Sequence, residues 1–146
     1  MKRFVAAICV ATALFAAPAW AGETNPDIVH RHGIFKIASG HMTALHSILF
    51  LGHGATKDVL FHAQGIKDAF AHLGNAFPPG SGTGETKAAP AIWEQPEKFK
   101  KAGQDAAAAT DAMVQAAQGD DRQAQIDAFK RLGGSCKACH DDFKSK

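Results

Sequence analysis

Cysteine is scarce in this chain, with three among 146 residues. Long apolar runs, strand-like alternation and an excess of one charge are scarcer still, and each shortage excludes something. Cys9 lies in an N-terminal stretch built like a secretory signal. Met1-Lys2-Arg3 is basic, Phe4 to Ala17 is apolar, and Ala19-Trp20-Ala21 is a small-x-small cleavage site. Removal of residues 1–21 leaves only Cys136 and Cys139. Cysteines three apart close almost no loop, so the exported chain is not a disulfide scaffold. The apolar run is shorter than the ~20 residues a spanning helix needs, no other stretch is expected to be long or apolar enough to cross a bilayer, and no membrane span is expected after cleavage. Lys2 and Arg3 leave with the signal, and 14 basic groups then face 14 acidic ones. That balance excludes a basic, nucleic-acid-seeking surface. With no nucleophile–base pair, carboxylate dyad or second metal motif, the chain does not read as an enzyme.

What is present is helical periodicity, in one domain over residues 22–146. Asn25, Pro26 and Asp27 form a helix start. Phe35, Ala38, Met42, Leu45 and Leu49 then step by three and four to about Leu51, with Ile34, Ile37 and Ile48 widening the stripe. Gly52 and Gly54 end it. A second helix is predicted over 57–73, with Val59, Leu60, Ala63, Ile66, Phe70 and Leu73 on one side. Phe77 to about Pro90 is rich in Gly and Pro and reads as a loop. A third, alanine-rich helix is predicted from Pro96 to about Gln118, its narrow inner face being Phe99, Ala106, Ala109, Met113 and Ala117. Asp120 or Asp121 caps a fourth, carrying Ile126, Phe129, Gly133, Cys136, His140 and Phe143. Short links within each half and one longer central connection give an all-α fold, an antiparallel up-down-up-down four-helix bundle.

The informative string is Cys136-Lys137-Ala138-Cys139-His140, on the last helix. Cys-x-x-Cys-His is the c-type haem attachment pattern. At ~100° per residue the two sulfurs lie on one flank, able to form thioethers to one porphyrin, and the next residue's imidazole can ligate the iron. A zinc site would have to borrow distant ligands. A thioredoxin-like pair would follow a strand at a helix N-terminus. Two ordinary core cysteines are the remaining alternative.

Taken with its surroundings, the motif resembles the class II cytochromes c, and within them the cytochromes c′. Gly134 to Phe143 resembles the family's last helix, His30 to Phe35 with Gly40-His41-Met42 its first, and Thr86 to Trp93 with Phe99 the connection into its third. The resemblance implies one covalently attached haem c per chain, with Cys136 and Cys139 as attachment points and His140 as the axial iron ligand. It implies export to the periplasm of a Gram-negative bacterium. Arg31 falls where the family pairs an arginine with the haem propionates, and His32, Glu85 and Thr86 fall near that edge. Lys144 stands where the family commonly has arginine, on the proximal side.

Phe35 aligns with the family's distal position, and a phenyl ring cannot ligate iron. The resemblance therefore implies high-spin, five-coordinate iron that binds NO and CO and can exchange one electron with a redox donor or acceptor. The alternative is a low-spin, six-coordinate electron carrier resembling cytochrome c-556, with Met42 or His32 as sixth ligand. Met42 lies ~10.5 Å along the helix from Phe35, which favours core packing. Trp93 and Phe99 read as a wall of the haem pocket. His30, His53, His62 and His72 read as solvated, and no i,i+4 histidine pair suggests nickel or copper. The family commonly dimerises through its first two helices, where Phe50, Leu51, Leu60 and Phe61 offer surplus apolar surface.

Overall fold

The computed structural model describes residues 25–146; the expected signal peptide lies outside the described residues. Helix α1 (Pro26–His46) begins as its capping chemistry dictates. Asn25 is extended, its side chain accepts from the Asp27 amide, and Pro26 takes the first helical position. At Ser47–Leu51 the helix widens into one π turn, which ends at Gly52 with φ 70°, a left-handed geometry that penalises a side chain. The carbonyls left over at this end are met from across the bundle. Arg122 donates to the Ile48 oxygen at 3.3 Å and the Leu49 oxygen at 2.9 Å.

A 3-10 turn at Thr56–Asp58 leads into α2 (Val59–Ala71). After the expected loop, a single turn, α3 (Ala91–Glu94), precedes α4 (Pro96–Ala117). Sequence periodicity leaves α3 unassigned because four residues are too few to show a period. Pro90 starts it, accepting from the amides of Trp93 and Glu94, and buried Ile92 anchors it. Helix α5 (Arg122–Phe143) is capped by Asp121, whose carboxylate accepts from the amides of Gln123 and Ala124.

Helix α1 packs on α2, α2 on α4 and α4 on α5. This is the expected all-α, antiparallel four-helix bundle. Its dry core sits towards the π-turn end, where Leu45, Ile48, Leu49, Val59, Ala63, Ile66, Met113, Val114, Ala128 and Leu132 pack together. A smaller cluster of Ile34, Ala38, Ala69 and Ala76 lies elsewhere.

The inner faces differ from the sequence expectation in places. Ile37 and Leu60 are exposed, because each lies at the edge of its stripe where no neighbouring helix covers it. On α4, Thr110 and Val114 join Met113 inside; Thr110 is tolerated there because its hydroxyl donates to the Ala106 carbonyl at 2.8 Å. On α5 the buried stripe is Gln125, Ala128, Leu132 and Phe143. The stripe of Ile126, Phe129, Gly133 and Cys136 is only half-buried, one position around the helix.

One further expectation is corrected. Pro26–Leu51 is long and apolar enough to cross a membrane by length and composition, with a window of mean hydropathy 1.3. Here it is a bundle helix: Ile28, Ile34, Ala38 and Leu45 are buried while His30, Lys36, Ser39 and Thr43 are exposed.

Asp121 is the side-chain cap of the helix that carries the Cys-x-x-Cys-His motif. Asp121→Ala should lower stability by about 1 kcal/mol, read as a shift of the urea midpoint with unchanged slope.

Candidate haem site

The site is built on the last two turns of α5. Cys136 and Cys139 are free and half-buried. Cys136 packs against the main core, while His140 lies at the surface. The C-terminal end of α5 is held by the central loop. The Ala89 amide donates to the Phe143 carbonyl at 3.0 Å, and the Ser145 amide donates to the Lys87 carbonyl at 2.8 Å. These bonds fix the end of the helix one turn beyond His140.

The protonation chemistry suits attachment to a porphyrin better than a dithiol redox couple. Burial pushes the Cys136 thiol up, against a smaller opposing hydrogen bond with Ser135. Burial also pushes Cys139 up, with Cys136 and Asp142 adding to the shift. A nucleophilic redox cysteine is lowered, not raised. His140 moves the other way: partial shielding of its ring lowers it, the Lys144 ammonium lowers it further, and Asp141 opposes both. A lowered imidazole is neutral at neutral pH and offers iron a lone pair. Lys144, four residues on, thus acts electrostatically on His140.

Space is available beside these groups. A Cβ built on Gly133 would meet nothing within 4 Å, and the close approach of α5 to the first helix is at its π turn. Among the described residues, no three His, Cys, Asp or Glu side chains converge on a metal position. Two thiols on one flank, a neutral imidazole one residue on and a roomy glycine face fit a covalently held haem.

An aromatic chain runs from α1 to this end of α5. The ring centroids are 6.3 Å apart for Phe35–Phe77, 5.0 Å for Phe77–Phe99 and 5.1 Å for Phe99–Phe143, all edge-on. Trp93 lies to one side of it, its indole N–H donating to the Phe77 carbonyl at 3.2 Å and its ring so close to Gly82 that a Cβ there would come within 2.8 Å. Met42 sits apart from this chain, packed against the main core.

Arg31 is the largest of the fully buried side chains among the described residues, only 2% exposed. Its guanidinium donates to the Ser81 carbonyl at 2.6 Å, the Ser81 hydroxyl at 2.8 Å and the Thr86 hydroxyl at 2.7 Å, and lies 5.2 Å over the Phe77 ring. The structure therefore brings Arg31 and Thr86 together; His32 is half-buried and Glu85 lies at the surface. Sequence reasoning missed Ser81, a loop serine whose only signal was its Gly-rich setting.

A covalent haem motif at the end of a four-helix bundle defines a class of c-type cytochrome distinct from those with the motif near the N-terminus. The chain belongs to the cytochrome c′ family: the family model described as Cytochrome C' matches residues 27–144. Cytochrome c′ of Rhodospirillum rubrum is 30% identical over 99% of both chains. A cytochrome c-556 of Agrobacterium tumefaciens strain II Chrys is 31% identical over 82% of this chain and 98% of its own. Among solved structures, the nitric oxide complex of a leucine-to-alanine variant of cytochrome c prime from Alcaligenes xylosoxidans superimposes with a TM-score of 0.76 at 25% identity, over 82% of this chain and 94% of its own. The protein is thus a haem protein of electron-transfer type, and its cofactor is covalently attached haem c.

Arg31 ties α1 to the central loop through buried, charge-assisted bonds. Arg31→Met should cost about 2–4 kcal/mol, because the Ser81 carbonyl is left unpaired. Limited proteolysis should then cut within 76–86 before any helix is cleaved.

Proposed function

We propose that this chain is an exported, periplasmic cytochrome in which Cys136 and Cys139 hold the haem, His140 is the only protein ligand to iron, and the opposite side stays open to NO and CO. Bound haem supplies one-electron redox chemistry and a coordination position for a diatomic gas. The observation that carries the reading is Phe35. It is half-buried, braced edge-on by Phe77, and it heads the aromatic chain that ends on the haem-bearing helix. A phenyl ring in that position crowds an incoming gas molecule and gives no hydrogen bond to it. Absence of a donor favours NO and CO over O₂, whose bound form is polarised.

The chain's other residues take supporting parts. Partial burial first, and the Lys144 charge second, favour the neutral, ligating form of His140. Arg31, braced by Ser81 and Thr86, sets positive charge where the haem carboxylates would lie, with His32 and Glu85 at the same edge. Met42 acts in the core, which supports the five-coordinate reading over the c-556-like one. The exposed apolar residues Phe50, Leu51, Leu60 and Phe61 provide the surface through which a second copy would dock.

Two measurements test this. Protein matured in an exporting, haem-attaching host should have the mass of residues 22–146 plus one haem, and Cys136→Ser with Cys139→Ser should lose it; covalent haem in that double variant would refute the attachment. The wild-type ferrous spectrum should be high-spin. Phe35→Ala should speed CO association by about tenfold or more, about 1.4 kcal/mol off the barrier, and Phe35→Met should shift the spectrum toward low spin. A low-spin wild type with CO binding indifferent to Phe35→Ala would instead favour the electron carrier.

A further inference from the structure

Away from the haem motif, the fold joins two histidines that the sequence holds 21 residues apart. His41 on α1 and His62 on α2 meet with their Nδ1 atoms 3.0 Å apart and their ring centroids 5.3 Å apart. Both are half-buried in the groove between the two helices. The seat for His41 is a notch in α2: a Cβ on Gly65 would fall 2.3 Å from its Nε2, so only glycine leaves the ring its place. Phe61 covers the pair edge-on, 5.7 Å from His41 and 5.1 Å from His62. Asp58, one turn before His62, and His53 share with it a hollow of about 210 Å³.

Two imidazole nitrogens at this distance share either one proton or one cation. Ligands at 90° on an ion, each bound at about 2.1 Å, are themselves about 3.0 Å apart. The Nδ1–Nδ1 separation of 3.0 Å matches that spacing. Burial first, and His41 second, push His62 below its ordinary value, with Asp58 opposing.

We propose that His41 and His62 chelate one divalent first-row transition ion across the α1–α2 groove, separate from the haem. Among the described residues no third His, Cys, Asp or Glu converges with them, so water completes the coordination and the ion exchanges readily. Asp58 contributes negative charge close to His62. Imidazole donors and the ordinary order of divalent affinities make Cu²⁺ the tightest occupant, ahead of Ni²⁺ and Zn²⁺.

The test uses ferric holoprotein, titrated with CuCl₂ and separately with ZnCl₂ by calorimetry, with electron paramagnetic resonance of the copper form. One Cu²⁺ should bind with a nitrogen hyperfine pattern, more tightly than Zn²⁺. His41→Gln and His62→Gln should each weaken it by about tenfold or more, while His46→Gln, an exposed control on α1, should not. Gly65→Ala, which displaces the His41 ring, should weaken it as well with the haem absorption unchanged. Because that absorption is read in every variant, failure of the haem assignment is visible separately. Wild-type copper affinity in either histidine variant, or equal loss in His46→Gln, would overturn the site and leave the pair as a hydrogen bond alone.

Discussion

Unequal filling of the bundle's two ends is the constraint on which the rest of this structure depends. Towards the π turn, leucine, isoleucine, valine and methionine from four helices bury one another, with Leu45, Ile66, Met113 and Leu132 excluded from solvent. Away from that core, α4 and α5 present small residues, among them Ala106 and Gly133, which cannot span the distance between helices by themselves. Fully burying a large aliphatic side chain contributes about 1.5–3 kcal/mol, so the first end locks the four helices while the second leaves room beside them. The haem motif lies where the packing thins.

Polar groups stabilise what apolar packing leaves loose. Arg31 is buried at the cost of desolvating a cation, offset by charge-assisted bonds to Ser81 and Thr86 and by the Phe77 face. Arg122 does the equivalent work at the opposite end, where the π turn sets free the carbonyls of Ile48 and Leu49. A single guanidinium at each end thus joins a helix to a distant segment. Neither bond could be replaced by lysine without losing the fork geometry.

Electrostatics at the motif follow from the same placement. A C-terminal helix turn half in and half out of the core raises its thiols and lowers its imidazole, because burial disfavours the charged form of each. Those are the protonation states in which cysteines stay unreactive toward disulfide exchange and a histidine keeps its lone pair. Lys144 adds to the second effect through its charge.

The sequence by itself determined the helices and the cofactor class. Caps at Asn25 and Asp121, stops at Gly52 and Gly119, and the Cys-x-x-Cys-His spacing are local signals, set by bonds within a few residues of chain. Residues on a helix edge were not legible, because whether Ile37 or Leu60 is covered depends on where the neighbouring helix comes to lie. The one-turn α3 was too short to show a period, and Ser81 became a partner of Arg31 only when a 50-residue separation closed. The same holds for His41 and His62: no spacing along one helix pairs them, and solvated histidines were expected at 62. Their meeting was decided by the packing angle of two helices and by the missing side chain at Gly65, which is information that exists only in three dimensions.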